Sequence, residues 1–265
     1  MNLINEFNVL AIQPELQLIV KALAKAIGPD IRTFISENDW DTYNSLSMIR
    51  SDRINTNLKN TIVGETMELR HFKRFVWTGT LLIDKKHKLI FTICANSTLR
   101  RIKTMKERKN PHYLQSMCHI LNGDLEAENK QMSLSDIMGS EINLNFAEEV
   151  YEADFESIVD APISQVEGYR HCLIVYETNN FELESISLMI LDKDLDAVRE
   201  YSLMNLLQPD FGDLTAPIVN AEAVPKEQDA HSLIKVKDGL KSKNANEPEK
   251  KIVISTRCEE VGKQA

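Results

Sequence analysis

Phe75-Val76-Trp77-Thr78-Gly79-Thr80-Leu81-Leu82-Ile83 runs into Asp84-Lys85-Lys86-His87-Lys88 and then into Leu89-Ile90-Phe91-Thr92-Ile93-Cys94-Ala95. Two apolar runs rich in β-branched and aromatic residues flank a short polar break, which is the pattern of a β-hairpin. Asn96, Ser97 or Thr98 follows, and each offers a short side-chain oxygen that can accept hydrogen bonds from the free N–H groups of a helix's first turn. The next residues, Leu99-Arg100-Arg101-Ile102-Lys103, continue as a basic helix to about residue 109. Twelve Lys and Arg stand between Arg70 and Lys109 against two acids, Asp84 and Glu107, so this stretch carries +10. The whole chain of 265 residues carries −9, which leaves −19 for everything else. That asymmetry is the clearest physical signal in the chain.

On the N-terminal side, Leu16, Ile19, Val20, Leu23, Ala24 and Ile27 recur at the spacing of one buried helix face, with Pro14 at the helix start. Gly28-Pro29 ends that helix, Ile31, Phe34 and Ile35 mark a short second one, and Ser45 to Val63 reads as a third. Residues 36–44 are a polar loop too long for the turn of a DNA-reading helix-turn-helix. Three helices capping a sheet is the better reading.

On the C-terminal side, Pro111-His112-Tyr113-Leu114 opens a helix with Leu114, Met117, Cys118 and Leu121 on one side, stopped by Asn122-Gly123. Twelve acids against Lys130 then give −11 between Asp124 and Glu167. Glu141 to Phe146 alternates like a half-buried strand, and 147–168 reads as a loop or a short helix. The hairpin pattern returns with Cys172 to Tyr176, a turn at Asn179-Asn180, and Leu183 to Leu191. Asp192 or Asp194 is expected to cap a helix bearing Leu195, Val198, Leu203, Leu206 and Leu207, closed by Pro209. Ile218-Val219, Leu233 to Val236 and Ile252 to Ile254 are short strand candidates around a polar linker at 237–251.

The expected architecture is α+β: an N-terminal helical layer packed on a mainly antiparallel sheet with two hairpin-helix units. Its divisions are 1–69, a helical layer; 70–215, the α+β core with its basic and then acidic segments; and 216–265, short strands and a flexible tail. Hydrophobic residues at 43% and charged residues at 27% suit a soluble globular chain. No apolar run is long enough to cross a membrane, and no secretory signal pattern opens the chain. Cys94, Cys118, Cys172 and Cys258 are scattered, which fits reduced thiols and a cytoplasmic setting better than a disulfide framework.

Catalytic signatures are missing. The nine glycines do not cluster, so neither phosphate-cradling loop pattern is present. Gly-x-Ser-x-Gly, His-Glu-x-x-His and Cys-x-x-Cys do not occur, and His112, Cys118 and His119 read as ordinary helix residues rather than metal ligands. No cofactor and no metal are expected. A divergent metal-dependent nuclease would use Glu177, Asp192 and Asp194 at strand ends, but the Glu-x-Lys that normally accompanies such acids is absent; Asp84 reads as a turn-shaping residue.

The remaining chemistry is electrostatic. Arg100, Arg101, Lys103, Lys106, Arg108 and Lys109 form the candidate binding set, with Tyr113 or Trp77 available for base stacking. The acidic segment could instead fold back and neutralise this face. Arg50-Ser51-Asp52-Arg53-Ile54-Asn55-Thr56, Trp77-Thr78-Gly79 and Pro111-His112-Tyr113-Leu114 resemble uncharacterised proteins of Gram-positive bacteria, their phages and integrative elements, over about residues 40–125. That resemblance implies a cytoplasmic bacterial or phage setting and no particular activity. The leading expectation is a non-enzymatic regulatory or interaction protein that contacts nucleic acid or an acidic partner through the 70–112 surface. An antitoxin or defence-countering accessory protein using the acidic 124–167 region is the alternative, and the nuclease ranks below both.

Overall fold

Six strands form one sheet in the computed structural model of the chain, which describes residues 9–62, 67–104, 108–128, 146–179 and 181–207. The strands are β1 (Met67–Arg74), β2 (Trp77–Asp84), β3 (Leu89–Ala95), β4 (Arg170–Asn179), β5 (Glu182–Leu191) and β6 (Ala197–Ser202), and they lie side by side in that order. Every neighbouring pair is antiparallel except β3 and β4, which run parallel at the centre. Parallel neighbours cannot be joined by a tight turn. The connection between them therefore carries α4 (Asn96–Thr104), α5 (Tyr113–Leu121) and α6 (Glu148–Val159).

Alternation along the strands sends side chains to two cores. Leu82, Phe91, Cys172, Ile174, Ile186 and Leu188 pack with α1 (Gln13–Ile27) and α3 (Leu46–Thr61) through Leu16, Ile19, Val20, Leu23, Ile54 and Leu58. Leu81, Ile83, Ile90, Leu173 and Val175 pack on the other face with Leu99, Ile102, Leu114, Met117, Phe155 and Val159 of α4, α5 and α6. Each fully buried Leu or Ile contributes about 2 kcal/mol of apolar burial, so helices cover both faces of the sheet for the same reason. The short α2 (Pro29–Glu37) joins Leu46 and Phe181 in a small third cluster. This is the α+β class the pattern indicates, with the N-terminal helices on a mostly antiparallel sheet and a second helical layer opposite.

Four local expectations are corrected. Phe75 and Val76 do not begin a strand; they are the two-residue turn between β2 and the unforeseen β1. The basic helix is described from Asn96 to Thr104, and Arg108 and Lys109 lie outside any helix. Residues 147–168 hold a full helix, α6, rather than a short one. The helix expected over Leu195 to Leu207 is a strand, β6, followed by a single 3-10 turn at Met204–Leu206, so the second hairpin continues into a third strand. Asp192 explains that last difference. Its Oδ1 accepts the N–H groups of Asp194 and Asp196 at 2.9 and 2.8 Å, which closes a tight turn with Leu195 at φ 67° instead of starting a helix.

Every described residue belongs to one compact unit, within Met1–Val224. The strand candidates at 218–219, 233–236 and 252–254, the linker at 237–251, Pro209, and all but Phe146 of the Glu141–Phe146 strand lie outside the described residues.

Candidate nucleic-acid interface

The β1–β2 turn breaks the usual rules of hairpin chemistry. A two-residue hairpin turn needs positive φ, which favours Asn, Asp and Gly. Here Phe75 sits at φ 53°, with 93% of its surface exposed, beside Val76 at 92%. A bulky residue in that region costs roughly 1–2 kcal/mol, and two solvated apolar side chains return nothing to the fold. The strand ends beneath the tip are rigid. Phe72 packs edge-on to Trp77 with centroids 5.6 Å apart, and Trp77 stacks on Tyr113 at 5.5 Å. Gly79 makes that cluster possible, because a Cβ there would stand 2.3 Å from the Phe72 ring and 2.7 Å from Trp77. Arg74 then ties the hairpin to its surroundings: it donates to the Pro111 carbonyl at 2.8 Å and pairs with Asp154 of α6, which also accepts from Ser116 of α5.

Beside this tip the basic residues divide into two groups. On α4, Arg100 reaches Glu177 at 3.2 Å and Lys103 reaches Asp196 at 3.0 Å, so strand-end acids engage both. Glu177 is further held by the side chains of Asn96 and Ser185. The second group comprises Arg101, Arg108 and Lys109. Arg101 on α4 and Lys109 in the following loop are exposed, and Arg108 is half-buried between them in sequence. Burial and the Arg101 charge lower the pKa of Arg108 from the usual guanidinium range. His112 is held at about 3, first by burial and then by Arg108, Arg74 and Arg101. The charges of these three guanidinium groups all act against protonation of one imidazole at the base of the hairpin. Lys73, exposed on β1, immediately precedes Arg74. Lys106 lies outside the described residues.

Tyr113 is not available for stacking on a ligand. It is 5% exposed and enclosed by Phe72, Trp77 and His112. At this tip the exposed aromatic is Phe75, which sequence reasoning missed by assigning it to a strand. An apolar pair at a position that asks for Asn-Gly was the signal that could have found it.

The acids do not assemble a catalytic site. Glu177 pairs with Ser185, whereas Asp192 lies beyond the far end of β5, about 20 Å away at the rise of a strand. Asp192 is buried and spent on its turn and on the N–H of Ala127. From the acidic segment, Asp154 meets Arg74, Glu148 meets His119 at 2.6 Å and Asp124 meets Arg170, whereas Arg100 and Lys103 of α4 pair with Glu177 and Asp196. Nor do His112, Cys118 and His119 converge. His112 Nδ1 accepts from the Leu114 N–H as the cap of α5, and His119 stacks on Tyr151. Cys118 Sγ lies 3.4 Å from His171 Nδ1, yet both are fully buried; burial raises the thiol and holds the imidazole down at about 3, so the pair stays neutral and is no nucleophile. A cavity of about 40 Å³ under Phe72, Trp77 and Tyr176 has room for no more than a few water molecules. A groove of about 450 Å³ beside Tyr169 holds Arg170 and Asp124, which are bonded to each other.

The profile of a family of unknown function, DUF5986, matches residues 11–255. The chain belongs to that family. The DUF5986 match takes in every helix and strand described above from α1 to β6, a far wider span than the 40–125 resemblance read from short motifs. No curated protein and no solved structure matches the chain. Among the described residues, no helix is long and apolar enough to cross a membrane.

Proposed function

We propose that the chain is a non-enzymatic binding protein that contacts nucleic acid through the β1–β2 tip, α4 and the loop at 108–112. The observation that carries this reading is the exposed Phe75 held at positive φ, together with the exposed basic residues Lys73, Arg101 and Lys109. A strained, solvated apolar turn works against folding, and local choices that oppose the fold mark sites kept for another purpose. Phosphate groups would pair with the exposed cations, and a base would give Phe75 a stacking partner. Arg100 and Lys103 contribute less in this reading, because Glu177 and Asp196 already engage them. The free, buried thiols of Cys94, Cys118 and Cys172 suit a reducing cytoplasm. A bacterial or phage setting belongs to the same proposal, carried by the sequence resemblance alone.

The test is fluorescence anisotropy with labelled single-stranded and duplex oligonucleotides at about 50 mM salt, where electrostatic binding is strong. Replacing Lys73, Arg101 and Lys109 together with Ala should weaken binding roughly tenfold or more, to a similar degree on unrelated sequences. Phe75→Ala should weaken single-stranded binding by about 1–3 kcal/mol and duplex binding less. Equal affinity of the wild type and the triple variant overturns the assignment of this face.

A further inference from the structure

At the opposite end of β2 from the hairpin tip, Glu15 in the first turn of α1, Asp84 at the end of β2, and His87 in the β2–β3 turn bring one ligand atom each within 4.8 Å of one another. Asp84 and His87 share one turn, and Glu15 joins them only through folding. Asp84 is completely buried. Its Oδ1 accepts the His87 N–H at 3.0 Å and its Oδ2 lies 2.6 Å from His87 Nδ1. This is the turn-shaping role the sequence suggests for Asp84, and it accounts for both of that residue's oxygens. It does not account for Glu15. Glu15 Oε2 is shut off from solvent and accepts no hydrogen bond among the described residues. The nearby cation Lys85 is directed elsewhere, to Glu68 at 2.7 Å. A buried carboxylate oxygen without a donor is destabilising, and here it stands beside the buried carboxylate of Asp84.

We propose that Glu15, Asp84 and His87 form a binding site for a divalent first-row transition-metal ion. Two carboxylates and a neutral imidazole bring a charge of −2, which a divalent cation balances. The donor set, two oxygens and one nitrogen, suits Zn²⁺, Co²⁺ or Fe²⁺ better than Ca²⁺ or Mg²⁺, which take oxygen ligands, or Cu⁺, which takes sulfur. In the bound form the neutral ring carries its proton on Nε2, so that the Nδ1 lone pair faces the ion in place of its contact with Asp84, and solvent completes the coordination. The ion would fasten the first helix to the central hairpin. This site is independent of the basic face, and neither proposal rests on the other.

The experiment uses the full chain, stripped with chelator, and titrates it with Co²⁺ and Zn²⁺. One equivalent of Co²⁺ should bind with the intense visible absorption of a four- or five-coordinate ion, and Zn²⁺ should displace it. Zn²⁺ at about 100 times its dissociation constant should raise the melting temperature by about 5 °C or more. Glu15→Gln and His87→Ala lie at a helix start and in a turn, so both should fold by circular dichroism, and each should lower metal affinity at least tenfold. Asp84→Asn is a poorer probe, because the side chain is wholly buried. Absence of heat or absorbance change at about 100 μM metal, far above the range of protein zinc sites, overturns the proposal. So does one-equivalent binding that survives both substitutions.

Discussion

Acid should weaken this fold well before its carboxylates titrate. His112 and His171 each have a folded-state pKa of about 3 against an ordinary value of 6.5, chiefly because burial disfavours the charged ring. The sign follows from which state takes the proton. Below pH 6.5 the unfolded chain protonates both rings and the folded chain does not, so stability is lost as pH falls from about 6.5 toward 3. At pH 5 the unfolded state gains about 2 kcal/mol per histidine, about 4 kcal/mol for the pair, which is a large share of a typical 5–15 kcal/mol. The lowered carboxylates, Glu68 with Arg70 and Lys85 and Asp124 with Arg170, add their own loss only at lower pH, through and below the ordinary carboxylate range. Urea unfolding at pH 7, 6 and 5, followed through Trp77, measures the effect. His112→Asn keeps a capping side chain on α5 but removes one titration, so it should recover about half of the loss between pH 7 and 5. Stability that is flat to within about 1 kcal/mol over that interval would refute the reasoning.

Three further outcomes follow from the packing. Gly79→Ala should cost about 1–3 kcal/mol in urea unfolding, because its Cβ would fall 2.3 Å from the buried Phe72 ring; an unchanged midpoint would mean the ring moves freely. Asn122→Ala should cost about 3 kcal/mol or more, since its buried side chain donates to the carbonyls of His171 and Leu191 and accepts the His171 N–H. Cys94, Cys118 and Cys172 should escape alkylation in the folded protein, read by peptide mass spectrometry, because burial lifts all three thiols, Cys94 and Cys172 to about 12; rapid native labelling of any of them contradicts their placement.

The fold was legible wherever one signal dominated. Leu16, Ile19, Val20, Leu23 and Ile27 give α1 by period, and the runs ending at Ile83 and Ala95 give β2 and β3 by β-propensity. The strand β1 escaped because Arg70, His71, Lys73 and Arg74 made it look like part of a charged surface, while Met67, Leu69 and Phe72 carry its contacts with the cores. The strand β6 escaped for the reverse reason. Leu195, Val198, Leu203 and Leu206 approximate helical spacing, and only the pairing of Ala197–Ser202 with β5 decides that the segment is extended. At the candidate interface the basic residues themselves were plain in the sequence. What could not be read were the partners supplied by distant elements, Glu177 and Asp196 on α4's basic residues, and the enclosure of Tyr113 by Phe72 and Trp77.

The central claim is that the face built by the hairpin tip, α4 and the 108–112 loop neutralises phosphates. Affinity for a single-stranded oligonucleotide measured from about 50 to 200 mM salt tests it most directly. Four or five phosphate contacts predict a log–log slope of about −3 to −4, reduced by about one unit for each of Lys73, Arg101 and Lys109 changed to Ala. No binding by the wild-type chain at about 50 mM salt, or a slope that the three substitutions leave unchanged, would contradict it.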